Sequence, residues 1–179
     1  CFGGTNGAAS VTGSGGTAGY TYAWTGGATG TSVSNLSSGS YTVTVTDSKG
    51  CTATKAFSVS QPTSLPSATV TPTAVSCFGG TNGAASVTGS GGTAGYTYAW
   101  TGGATGTSVS NLNSGSYTVT VTDSKGCTAT KAFSVTQPTS LPSATVTPTA
   151  VSCFGGTNGA ASVTGSGGTA GYTYAWTGG

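Results

Sequence analysis

The stretch Gly115-Ser116-Tyr117-Thr118-Val119-Thr120-Val121-Thr122-Asp123-Ser124-Lys125-Gly126-Cys127 decides the fold. Tyr117, Val119 and Val121 alternate with Thr118, Thr120 and Thr122. That period of two puts an apolar face and a hydroxyl face on one strand. Asp123-Ser124-Lys125-Gly126 is a turn signal. Lys131-Ala132-Phe133-Ser134-Val135 resumes the alternation, with Phe133 and Val135 on one face, so the two runs read as a hairpin. Upstream, Tyr96-Thr97-Tyr98-Ala99-Trp100 alternates aromatics with small residues, and Ala85-Ser86-Val87-Thr88 and Ser143-Ala144-Thr145-Val146-Thr147 read as weaker strands. Ser90–Thr93 and Gly102–Gly106 are loops. No segment shows a period of 3.6, and glycine is too dense for helix.

Everything around this stretch repeats. Cys1-Phe2-Gly3-Gly4-Thr5-Asn6-Gly7 returns at Cys77 and at Cys153, a period of 76 residues. Across the overlap only Ser37/Asn113 and Ser60/Thr136 differ. A period of 76 exceeds that of most solenoids and suits one small domain per repeat. Copying with so little drift builds length or valency rather than a single active site. Gln61-Pro62-Thr63-Ser64-Leu65-Pro66, repeated at Gln137–Pro142, is the punctuation between units, because paired prolines end strand pairing and stiffen a junction. Residues 62–137 are then one complete domain, 1–61 a domain without its first strand, and 138–179 the N-terminal part of a third. The chain does not begin with Met and is expected to be a piece of a longer protein.

Composition narrows the chemistry. Charged residues are 3% of the 179, four Lys and two Asp, with no His. General-base catalysis and most transition-metal sites lack their side chains, so no cofactor is expected. Four Lys and no Arg make no phosphate-tracking nucleic-acid surface. No apolar run reaches the roughly 18 to 20 residues that span a bilayer as a helix, so no membrane insertion is expected in this segment.

The expected fold is all-β: tandem immunoglobulin-like antiparallel β-sandwich domains, one per 76-residue repeat. Trp100 falls on an early central strand, where such sandwiches bury a Trp. Tyr117 opens its strand as a tyrosine corner does. The expected core is Tyr96, Tyr98, Trp100, Leu112, Tyr117, Val119, Val121, Phe133 and Val135, with Val87 and Val146 at the margins. It is a thin core, of the kind that needs a covalent staple.

The cysteines supply candidates for that staple. They fall at 1, 51, 77, 127 and 153, two per unit and 50 apart. Disulfides in an oxidising compartment are expected, Cys1 with Cys51 and Cys77 with Cys127, with the partner of Cys153 beyond the sequence. One geometric objection stands. Cys127 follows the hairpin at one end of the sandwich, Cys77 precedes a strand that starts at the other end, and Cα atoms more than about 7 Å apart cannot be bridged. Zinc lacks a CxxC pair or a His, and a catalytic thiol lacks its base. Free buried thiols are the alternative.

The other candidate sites read as structure. The Tyr-Thr-Tyr-Ala-Trp run is either an aromatic platform for sugars or core, and its period favours core. Asp47 and Asp123 are too few per unit for calcium and fit the first position of a turn. Lys55 and Lys131 lack the buried acid that an isopeptide cross-link needs and fit exposed edge lysines. Asn35-Leu36-Ser37 is a glycosylation triplet absent from Asn111-Leu112-Asn113.

The motif order is Cys-x-Gly-x-x-Asn-Gly, then Gly-Gly-x-x-x-Tyr-x-Tyr-x-Trp, then Leu-x-x-Gly-x-Tyr-x-Val-x-Val-x-Asp-x-x-Gly-Cys. It runs here through Cys77, Gly79, Asn82, Gly83, Gly91, Gly92, Tyr96, Tyr98, Trp100, Leu112, Gly115, Tyr117, Val119, Val121, Asp123, Gly126 and Cys127. It resembles the SprB repeat of very large surface adhesins of Bacteroidetes, with Gly95 where that family often has Pro. The resemblance implies a non-enzymatic repeat of an extracellular filament, exported by type IX secretion, held at the outer membrane and used in adhesion or gliding motility. Its expected partners are neighbouring repeats of the same chain, and beyond them surface glycans or other copies of the filament. Two further readings are a self-assembling filament or sheath subunit, and a carbohydrate-binding or spacer array of a secreted enzyme. The short Pro-containing junction is expected to limit bending.

Overall fold

A computed structural model describes residues 1–177. The deciding stretch forms the long strand β10 (Gly115–Thr122), in which Val119 and Val121 are wholly buried and Ser116 and Thr118 face solvent. The alternation of branched apolar residues with threonine produces this directly, because successive side chains leave a strand on opposite faces. Thirteen strands are formed and no helix among the described residues. All the strand pairs with resolved register are antiparallel. The protein is an all-β chain of immunoglobulin-like sandwich type.

In the second repeat β6 (Ser67–Thr73), β7 (Gly83–Ser90) and β9 (Ser108–Leu112) make one three-stranded sheet, in the order β6-β7-β9. A second sheet has the order β11-β10-β8, with β8 spanning Thr97–Trp100 and β11 spanning Thr128–Val135. The core lies between them. Ala68, Ala85, Val87 and Leu112 from the first sheet pack with Trp100, Val119, Val121 and Val135 from the second. In the first repeat β1 (Gly7–Ser10) pairs with β3 (Ser32–Leu36). There β2 (Thr21–Trp24), β4 (Gly39–Thr46) and β5 (Thr52–Val59) form the other sheet. In the third repeat β12 (Ser143–Thr149) pairs with β13 (Ala160–Ser166).

The residues divide into two compact units that do not follow the repeats. One unit is Cys1–Pro66 together with Gly91–Gly95 and Thr122–Thr128, so two loops of the second repeat belong with the first repeat. The other holds Ser67–Ser90, Tyr96–Val121 and the residues from Ala129 on.

Of the expected core, Trp100, Leu112, Val119, Val121 and Val135 are buried, and Tyr96, Tyr98, Tyr117 and Phe133 are half-buried against them. Val87, expected at the margin, is in the core at 5% exposure. Val146 is not: it is 53% exposed, because β12 pairs only with β13 and no second sheet covers it among the described residues. Ala68, Val75 and Ala85 join the core without having announced themselves, since small or isolated apolar residues carry no periodic signal.

Strand edges are protected. Pro72 lies on the edge strand β6, where a missing N–H costs no ladder bond. Lys55 lies directly opposite Val43 on the edge strand β5, so it leaves the strand on the core side and still reaches solvent. Lys131 is exposed at the matching place on the edge strand β11. An inward-pointing charge on an edge opposes pairing with another chain.

Candidate functional site

The chemistry-bearing residues gather at the turns, and the turn after β10 shows how. Asp123 is 4% exposed. Its Oδ1 accepts the N–H groups of Lys125 (2.9 Å) and Cys127 (2.8 Å), and its Oδ2 accepts that of Thr93 (2.9 Å). One carboxylate therefore closes its own turn and ties it to a second loop. These bonds, Thr93 foremost, hold the carboxyl below its ordinary value against the opposing effect of burial. Asp47 has the same partners one repeat earlier, Thr17, Lys49 and Cys51, and is lowered likewise, Thr17 again foremost. Each carboxylate thus accepts three backbone N–H groups, as the first residue of a turn does. No group of three or more His, Cys, Asp or Glu that could hold a metal occurs among the described residues.

The aromatic run packs into the core in the first two copies, whereas Tyr174 and Trp176 of the third are exposed. Trp100 is 4% exposed and its Nε1 donates to Gly106 O at 2.8 Å. Phe133 meets Trp100 edge-on and stacks on Tyr117, each with centroids 5.7 Å apart. Tyr117 Oη donates to Asn113 O at 3.0 Å, the tie to upstream backbone that marks a tyrosine corner. Tyr98 Oη accepts the N–H of Gly89 at 2.8 Å. Gly89 leaves room for this: a Cβ there would lie 2.7 Å from the Tyr96 ring and 2.9 Å from Tyr98 Oη.

The Cys-Phe-Gly-Gly-Thr-Asn-Gly motif is a closed turn held at its ends. Gly80 N donates to Cys77 O at 3.0 Å. Asn82 bridges back to Ser76, its Oδ1 accepting Ser76 N (3.0 Å) and its Nδ2 donating to Ser76 Oγ (2.6 Å). Asn158 and Ser152 repeat this in the third copy. Gly79 N donates to Gln137 Oε1 at 2.8 Å, as Gly3 N does to Gln61 Oε1 at 2.7 Å. The glutamine beside each linker proline thus fixes the cysteine loop at the C-terminal end of β5 or β11. The sequence marks Gln61 and Gln137 as junction residues and Asn82 as part of the motif, but not the hydrogen bonds they make. Their recurrence at fixed distance from the cysteines was the available signal.

That anchoring overturns the expected pairing of the cysteines. Cys51 precedes the start of β5, whereas Gln61 keeps Cys1 beyond its end. Eight strand residues at about 3.3 Å each separate those ends by roughly 26 Å, well past the bridgeable limit. Cys77 and Cys127 stand in the same relation to β11. Neither Cys1–Cys51 nor Cys77–Cys127 is formed. Instead Cys1 is bonded to Cys127, with Cα atoms 5.6 Å apart and a sequence separation of 126. Cys51, Cys77 and Cys153 are free and exposed. Cys127 is 4% exposed where its counterpart Cys51 is open to solvent.

Next to the disulfide, Gly92 N donates to Ser64 O at 3.1 Å, so the linker docks on the Gly91-Gly92 loop. A cleft of about 560 Å³ opens there, lined by Cys1, Asn6, Gln61, Pro62, Thr93 and Lys125 among others. Lys125 is its charged side chain, and the disulfide and the linker dock beside it fasten the loops together.

These loops and turns, in this order and at this period, match the family model of the SprB repeat over residues 1–29, 69–105 and 145–179, more than half of the chain. The chain belongs to the SprB repeat family. The matched SprB segments carry the cysteine loop, the Gly-Gly loop and, in the first two copies, the buried tryptophan. No curated protein matches the chain. Among solved structures, that of the amphioxus IgVJ-C2 molecule is similar over 74% of this chain and 97% of its own, at 14% identity and a TM-score of 0.35.

Proposed function

We propose that this run of SprB repeats is a non-enzymatic structural segment of a stalk in a large extracellular adhesin. One observation carries the reading. The side chains that close turns and loops keep the same commitments one period later: Asp47 and Asp123, Trp24 and Trp100, Tyr41 and Tyr117 each hold equivalent partners. A scaffold copied in this way supplies reach and spreads load along strands and covalent links. The Ser- and Thr-rich surface keeps it soluble with little charge, so its interactions with water change little with salt. Resemblance to adhesins of Bacteroidetes supports an outer-membrane-attached location, export by type IX secretion, and service in adhesion or gliding. The protected edges of β5, β6 and β11 speak against lateral assembly into a sheath.

Immunogold microscopy of intact source cells, with an antibody against the repeat, tests this. Gold along thin surface filaments is the expected result. A continuous coat would instead favour a sheath. Protein found only in the medium would overturn the stalk and favour a secreted spacer, which glycan binding by the purified chain would then define.

A further inference from the structure

We infer that the SprB array is stitched by a ladder of disulfides in which the loop cysteine of each repeat is bonded to the turn cysteine of the following one. Cys77 and Cys153 are then the positions of the next forward bonds, and Cys51 of the preceding one. The inference goes beyond the stalk reading and holds wherever the array meets an oxidant.

Two observations in different parts of the chain carry it. The first is the bond Cys1–Cys127, which joins the loop cysteine of the first repeat to the turn cysteine of the second. Around it, the linker docks through Gly92 N to Ser64 O, and Thr93 shares the cleft beside Cys1. The second is the same arrangement one period later. Gly168 N donates to Ser140 O at 3.0 Å, repeating the linker dock. Thr169, the counterpart of Thr93, donates through Oγ1 to Ser76 O at 3.3 Å, the residue next to Cys77. The loop that accompanies the turn cysteine is thus already seated at Cys77, and Cys77 is exposed and unbonded. In a continuing array, the turn cysteine that follows this loop lies 126 residues after Cys77, the same separation as in the bond already formed. Near-identity of the repeats then makes sense for a second reason: each must present a complementary loop at one end and turn at the other.

Forming each rung is an oxidation. The thiolate of Cys77 attacks a sulfur of a disulfide oxidant, protein-bound or of low molecular weight, and expels one thiolate. The turn cysteine, as thiolate, then attacks the Cys77 sulfur of the mixed disulfide and expels the second. Two thiols lose two protons and two electrons, and the oxidant's disulfide leaves as two thiols, on one molecule for a protein disulfide and as two glutathione molecules for glutathione disulfide.

The test uses the full chain and the same chain continued past Gly179 by a second copy of residues 104–179, which keeps the 76-residue period. Both are refolded with glutathione disulfide, alkylated and digested with trypsin without reduction. The turn cysteines lie in identical peptides, Gly50–Lys55 and Gly126–Lys131, so Thr128→Ser is placed only in the appended copy to mark its turn peptide. The expected result is that Cys77 is alkylated in the original chain and protected in the continued one, where its peptide Ala56–Lys125 is joined to the marked peptide. Cys77 still alkylated, or joined to an unmarked peptide, overturns the ladder. The peptide carrying Cys1 reports docking in the same digest. If it is bonded to a turn peptide while Cys77 is free, the failure lies in the ladder and not in folding, and if neither bond forms the ladder fails as well. None of these outcomes depends on where the array is displayed.

Discussion

Reducing the Cys1–Cys127 bond should change how far this chain extends under force. With both ends held and the bond intact, the force passes from Cys1 directly to Cys127, so the 126-residue loop between them cannot lengthen. Only the residues after Cys127 extend, about 18 nm at roughly 3.5 Å per residue. Breaking the bond adds the 126 residues of the loop, about 44 nm of contour at the same length per residue. Single-molecule force spectroscopy with handles at the two termini, in oxidising buffer and then with a thiol reductant, reads this difference. The Cys127→Ser variant in oxidising buffer should behave like the reduced chain. A gain on reduction of two steps of about 17 nm, the contour of two 50-residue loops, would refute the reasoning and restore bonds within repeats. No gain would show that no bond forms. The same closure stabilises the fold by about 5 kcal/mol in the chain-entropy account, so the reduced chain should also melt earlier.

Asp47 and Asp123 both have folded pKa values below the ordinary carboxylate value, so their stabilisation is complete above the unfolded pKa and is lost as pH falls through the folded one. The melting temperature should hold from neutral pH to about 5 and fall progressively below about 4, and Asp123→Asn should lower it at pH 7 and flatten the acid limb; a melting temperature indifferent to acid would contradict this. Gly89→Ala forces a Cβ to 2.7 Å from the Tyr96 ring, and overpacking of that kind costs about 1–3 kcal/mol, measurable by urea unfolding. An unchanged midpoint would show that the ring yields freely. Tyr117→Phe removes the bond to Asn113 O and should cost about 0.5–1.5 kcal/mol in the same assay while leaving the circular dichroism spectrum unaltered.

The fold was legible because its strongest signals are local. Tyr117, Val119 and Val121 alternate with threonine, and a strand needs nothing more than that period and one covered face. The Asp123 turn was legible for the same reason, since its donors at Lys125 and Cys127 lie within four residues. Thr93, 30 residues away and the foremost cause of the lowered carboxyl, was not. Val75 was missed because a lone valine in a loop has no period. The cysteine pairing was misread because spacing within a unit says nothing of which end of an eight-residue strand each sulfur occupies. That was decided by Gln61 and Gln137, whose side chains hold the cysteine loops at the far ends of β5 and β11. Their meaning is three-dimensional, and the repeat could reveal only that they recur.

The central claim is that the repeats are fastened to one another and not merely strung together, and a cysteine map of this chain tests it most directly. The substitution Thr52→Ser marks the Cys51 turn peptide, Gly50–Lys55, as lighter than its otherwise identical counterpart around Cys127. After refolding in an oxidising buffer, alkylation and tryptic digestion without reduction, the peptide Cys1–Lys49 should be joined to the unmarked turn peptide, with Cys51, Cys77 and Cys153 alkylated. Cys1–Lys49 joined to the marked peptide would place the bond inside the first repeat and contradict the account.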